Sequence, residues 1–145
     1  MKKILFTLAC LLLAGLLLAG CGSGPTTIEG AERDEFAAAA DPLADSVVNG
    51  IDANDYSVFS QYFDQAMLEG LNETAFNELV AMFDGKLGDY QSRTVKSVQT
   101  VENLIQVEYK MVYTQAPEVT MRLILNDQNP PQITGLWFDA SELRK

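Results

Sequence analysis

Histidine is absent from the 145-residue chain, and with it the commonest general base and the commonest transition-metal ligand at neutral pH. Cysteine is scarce: Cys10 and Cys21 are the two in the chain, and both lie near its start. Their position excludes a disulfide framework, a zinc site and a thiol nucleophile inside the body of the domain. Positive charge is also short, with 10 Lys and Arg against 20 Asp and Glu and a formal net charge of −10. A chain this acidic is a poor partner for nucleic acid or anionic lipid headgroups. There is no phosphate-cradling glycine loop, no nucleophile elbow and no internal repeat. What remains is ordinary for a folded domain. Hydrophobic residues make up 48% and charged residues 21%, outside the range of disordered chains, and the length suits one domain.

Met1-Lys2-Lys3 is a positive start, and Ile4 to Leu18 is an apolar run broken only by Thr7 and Gly15. The run falls short of the ~18 to 20 apolar residues that span a bilayer, and its small-residue end reads as a secretory signal. The tetrad Leu18-Ala19-Gly20-Cys21 resembles the bacterial lipoprotein cleavage box. The resemblance implies a signal peptide over residues 1–20, diacylglyceryl transfer to the Cys21 sulfur, cleavage before Cys21 and acylation of the new amine by palmitate or a similar chain. Two or more hydrophobic chains anchor a protein firmly, so the expected location is the extracytoplasmic face of the cell membrane, within the cell envelope. Residues 21–40 are Gly-, Thr-, Ala- and acid-rich and read as a flexible tether.

The folded domain is expected over residues 41–145. Asp41-Pro42 is a helix-start signal, and Leu43, Val47, Val48 and Ile51 follow at helical spacing. A short helix is expected over Tyr56 to Phe63, then a turn-like connection from Met67 to Leu71. Asn72 caps a third helix carrying Phe76, Leu79, Val80, Phe83 and Leu87, and Gly88 suits a left-handed C-terminal position. The period then changes to two. Ile105, Val107, Tyr109, Met111 and Tyr113 alternate with polar residues, and Val119, Met121, Leu123 and Leu125 repeat the pattern. Ile133 to Phe138 reads as a last strand. Tyr90 to Val101 is β-rich, but Val95, Val98 and Val101 are three apart, a spacing that requires a bulge.

Helices followed by an antiparallel meander predict an α+β fold, with N-terminal helices on one face of a four-stranded antiparallel sheet. The outward set in this register is Val112, Thr120, Arg122, Ile124, Leu136 and Phe138, with Thr120 opposite Phe138 and Arg122 opposite Leu136. That face is too apolar for a merely solvated one. Trp137 falls on the inner phase.

Asp55-Tyr56 with Phe59, Phe63 and Met67, then Leu87-Gly88-Asp89-Tyr90, then Ile133-Thr134-Gly135-Leu136-Trp137-Phe138 resemble a bacterial domain family of unknown function. That family belongs to the nuclear-transport-factor-two-like, or cystatin-like, superfamily. The likeness covers about Asp41 to Leu143, and its motifs are structural. It implies a curved sheet wrapped around helices with a cone-shaped pocket between them. Some relatives in the superfamily are isomerases or polyketide cyclases, whereas others bind ligands or dimerise through the open sheet face.

An isomerase-like site needs a carboxylate and a facing hydroxyl inside the cone. Tyr62, Tyr90, Tyr109 and Tyr113 offer phenols, each more simply explained as a core residue with its hydroxyl at the rim. Glu108 and Glu118 fall on the polar phase. Asp52-Ala53-Asn54-Asp55 lacks the glycine and distal Glu of a calcium loop and reads as a helix-linking turn with capping side chains. Asp139 and Glu142 read as a solvated end. Phe59, Tyr62, Tyr109, Met111 and Trp137 are the candidate pocket lining, with core packing as the plainer alternative. No catalytic residue, metal or cofactor is expected. The reading is a lipid-anchored binding or interaction domain. The alternative is an isomerase- or cyclase-like enzyme acting on a small hydrophobic substrate. A third reading is a purely structural envelope protein. The expected partners are the membrane through Cys21, a small hydrophobic ligand, and a second copy or another protein at Leu136 and Phe138; nucleic acid is not expected.

Overall fold

A computed structural model describes residues 24–145. The leader and Cys21 lie outside the described residues. The elements are β1 (Thr26–Thr27), α1 (Gly30–Asp52), α2 (Tyr56–Phe59), α3 (Gln65–Gly70), α4 (Glu73–Lys86), β2 (Tyr90–Val101), β3 (Leu104–Tyr113), β4 (Val119–Leu125) and β5 (Ile133–Asp139). A 3₁₀ turn, Glu142–Arg144, follows. The fold is α+β: helices cover one face of an open antiparallel sheet in the order β1-β2-β3-β4-β5. Among the described residues no helix is long and apolar enough to cross a membrane.

The sheet has five strands rather than the expected four. The fifth is β1, whose Thr26 and Thr27 pair with Thr100 and Gln99 of β2. Two residues carry no periodicity, so no pattern betrays them.

The first helix differs more. It begins at Gly30, and Pro42 lies inside it, so Asp41-Pro42 is not its start. Ala37, Ala40, Leu43, Ala44, Val47, Val48 and Ile51 are all buried, a single stripe that runs through the proline. Continuous burial outweighs the ~3 kcal/mol that an interior proline costs a helix. The stretch expected as a flexible tether is therefore folded from Thr26 onward. Ile28 is buried, and its N–H donates to the Val98 carbonyl at 2.9 Å.

The remaining helices follow their caps. The Asp55 carboxylate accepts from the Ser57 and Val58 amides, and α2 ends at Phe59, earlier than expected. Asp64 accepts from the Met67 amide and starts α3 where a turn was expected. Asn72 caps α4 as its sequence implies, and Gly88 takes φ +73°. Phe76, Val80 and Phe83 of α4 are buried.

In β3 and β4 the two-residue alternation is realised: Val107, Tyr109, Met111 and Tyr113, and Val119, Met121, Leu123 and Leu125, face inward and are buried. In β2 the register slips between Tyr90 and Ser92 and between Val95 and Ser97. The second slip supplies the bulge that the Val95–Val98 spacing requires. A third slip falls between β4 and β5. Leu125 pairs with Ile133 but Ile124 pairs with Gly135, so one extra residue enters β5 and turns over every side chain beyond it. Thr120 consequently faces Asp139 and Arg122 faces Trp137, not Phe138 and Leu136.

Candidate functional site

The helical aromatics meet the inner sheet face and fill it. Phe59 meets Phe63 edge-on and Phe76 at a tilt, at centroid distances of 5.0 and 4.7 Å. Phe83 meets Phe138 edge-on at 4.8 Å and Tyr113 at 5.9 Å. Of the five expected lining residues, Phe59, Tyr109 and Met111 have no exposed surface. Tyr62 is half-buried, and Trp137 is 55% exposed on the outer face. The structure thus places three of the five in one packed interior and removes Trp137 from it. Leu136 and Phe138, expected outside, pack against the core instead. The bulge before Gly135 is the physical reason for both exchanges.

Tyr109 borders a hollow of about 340 Å³ with Asp41, Tyr90, Arg93, Thr94 and Val95. Arg93, from β2, reaches up to α1. It is ion-paired with Asp45 and, at 3.3 Å, with Asp41, and its guanidinium carbon lies 5.5 Å from the Tyr109 ring centroid. Burial alone would lower its proton affinity, but the two carboxylates hold it above the ordinary value. Burial pushes the Tyr109 hydroxyl well above the ordinary tyrosine value, and the charge of Asp41 adds to the effect. Tyr109 Oη and Arg93 Nε have no hydrogen-bond partner. Asp41, the hollow's carboxylate, is committed to Arg93. A base poised to accept a proton beside Tyr109 is therefore not assembled here.

The outer sheet face carries Thr120, Arg122, Ile124 and Trp137 around an ion triad. Glu108, only 9% exposed, pairs with Lys96 and, at 3.2 Å, with Arg122. The Lys96 hydrogen bond holds the Glu108 carboxyl below the usual range against burial, and Arg122 assists. Lys110 and Glu118 pair at 3.2 Å beside it. The alternation places Glu108 on the polar phase but gives no sign that two cations bury it there. Trp137 continues from this face into a hollow of about 420 Å³ bordered by Leu71, Leu79, Met82 and Leu143. Among the described residues no group of acidic or thiol side chains is arranged to hold a metal ion.

Comparison of the chain with protein-family models, curated proteins and solved structures found no match.

Proposed function

We propose that this chain is a lipid-anchored, extracytoplasmic binding or interaction domain of the nuclear-transport-factor-two-like kind. The observation that carries the reading is the Leu18 to Cys21 box, which lies a few residues ahead of a folded domain with its own core. The interior argues for interaction rather than turnover. Aromatic side chains fill it, and the carboxylate beside Tyr109 is tied to Arg93. The interaction surface is the outer sheet face centred on Trp137, the most exposed large hydrophobic side chain among the described residues. Exposed aromatics beside paired charges are the residue types that anchor protein partners.

One observation favours the enzyme alternative: the unpartnered Tyr109 hydroxyl, a donor held uncharged at neutral pH. It lacks the free carboxylate that such chemistry needs.

Mass spectrometry of the native protein tests the anchor. Acyl chains on an N-terminal Cys21 are expected, together with recovery in the membrane fraction and release to the soluble fraction when the leader is replaced by a non-lipoprotein signal. An unmodified Cys21 or an intact leader in the native protein overturns the reading.

A further inference from the structure

The stalk between lipid and domain is much shorter than the sequence suggests, because Thr26 is already fixed in the sheet. Only Gly22 to Pro25 separate Cys21 from β1, and five extended residue steps span at most about 17 Å. Thr26 stands in one row across the sheet: it pairs with Thr100, Thr100 with Ile105, and Ile105 with Leu125. At about 4.8 Å per strand, Ile105 lies about 10 Å from Thr26 and Leu125 about 14 Å.

Ile105 and Leu125 form the floor of a hollow of about 380 Å³ at this same end of the sheet. Phe36 and Ala39, one turn apart on α1, form one wall, and Pro131 of the β4–β5 loop forms another. The volume is that of a small-ligand site, ~300 to 1,000 Å³. Of its polar lining, the Asn126 side chain is already employed. Asn126 Oδ1 accepts from the Gln128 and Gln132 backbone amides at 3.3 and 2.9 Å. Among the described residues, the buried polar atoms without a partner belong to Arg93, Tyr109 and Arg122, none of which lines this hollow. An occupant therefore brings hydrocarbon into it and keeps its polar end outside.

We propose that the hollow formed by Phe36, Ala39, Ile105, Leu125 and Pro131 takes one acyl chain of the lipid on Cys21. The inference rests on the acylated Cys21 of the proposed function. The lipid's point of attachment lies within reach of the hollow, and its polar linkage stays on the stalk. With a diacylglyceryl thioether and an amide-linked chain, two chains remain in the bilayer, enough for firm attachment. The seated chain then fixes which end of the domain faces the membrane: the end bearing Asn103 and the β4–β5 loop.

Photo-crosslinking of the acylated protein in lipid nanodiscs tests this. A benzophenone side chain is placed at Ala39 or at Asn103, both exposed at the mouth, and at Glu78 on α4 as a control. Irradiation followed by mass spectrometry is expected to join residues 39 and 103 to the acyl chains of the same molecule's Cys21, at least tenfold above the yield at residue 78. Cross-links to bulk phospholipid alone, or none above the control, overturn the proposal while leaving the anchor intact. An unacylated Cys21 in the same spectra overturns the anchor reading and this proposal together.

Discussion

Gly50 sits where α1 crosses α2, and only the absence of a side chain lets the two backbones meet. A Cβ there would lie 2.6 Å from the Phe59 Cβ and closer still to its backbone nitrogen. The Ser46 hydroxyl ties the same crossing by donating to the Val58 carbonyl. Backbone cannot swing aside as a side-chain tip can, so Gly50→Ala is expected to destabilise by about 3 kcal/mol or more, the upper range for overpacking; urea unfolding measures it. Tyr109→Phe works in the opposite direction. The hydroxyl is buried without a partner, and relieving an unsatisfied buried group is worth about 1 kcal/mol or more. The variant is expected to melt at or above the parent temperature; a clear loss of stability would show that the hydroxyl is hydrogen-bonded in solution. Tyr109 and Phe83 were legible as inward residues because alternation and helical spacing are long-lived patterns in their segments. Trp137 was not. Its phase depends on a single extra residue beside Gly135, and a bulge leaves no periodic trace in a strand of seven residues. The only hint is Gly135 itself: a Cβ there would lie 2.6 Å from the Trp137 ring and 3.1 Å from Ile124, so the glycine makes room for the indole to lie over the strand.

Among the elements, α1 illustrates a local signal overruled by packing. Asp-Pro marks helix starts because proline lacks the N–H that the first turn leaves unused anyway. Here the buried stripe extends two turns further back, through Ala40 and Ala37, and alanine is too weakly apolar for the eye to count as a stripe. Deleting residues up to Pro25 is expected to leave a cooperative thermal transition. Deleting residues up to Ala40 removes Ile28, β1 and the first turns of α1, and is expected to lower the melting temperature by about 8 °C, taking a loss of about 2 kcal/mol at roughly 4 °C per kcal/mol, the slope between those of smaller and larger domains. Equal melting temperatures for the two truncations would show that the segment does not pack. The strands carry a second element-scale device, since Lys96, Glu108 and Arg122 join β2, β3 and β4 on the outer face. Folding lowers the Glu108 pKa, so the unfolded chain binds this proton more tightly. The contribution is complete above the unfolded carboxylate range and disappears as pH falls through the folded value. Glu108→Gln is therefore expected to shrink the fall in urea midpoint between pH 7 and pH 3, while itself lowering the midpoint at pH 7. An unchanged acid slope would remove Glu108 from the pH dependence.

For the molecule as a whole, the α+β class was legible because the hydrophobic period changes once, from 3.6 to 2, after Gly88. The two-residue first strand, and with it the true start of the folded part, was not legible. That strand is held by backbone pairing with β2 and makes no demand on composition. Charge is divided between the layers. Asp41, Asp45, Asp52, Asp64, Glu69, Glu73, Glu78 and Asp84 lie on or beside the helices, whereas Lys96, Lys110 and Arg122 lie on the outer sheet face. Two copies meeting through their helical layers would bring like charge together in a chain whose net charge is −10, and that repulsion opposes association by that route. The sheet face carries far less of this penalty, because each of its three cations is paired to Glu108 or Glu118, leaving a single excess positive charge. If copies associate, Trp137 lies at the contact, and the contact tolerates salt because its charges are paired within each copy. Sedimentation of residues 24–145 at high micromolar concentration is expected to show reversible self-association that Trp137→Lys abolishes and that added salt leaves largely unchanged. Trp137 is the chain's one tryptophan, so its fluorescence reports on the same contact, with a blue shift expected as concentration rises. A chain that stays monomeric, with emission independent of concentration, removes self-association and leaves a different protein as the partner of this face.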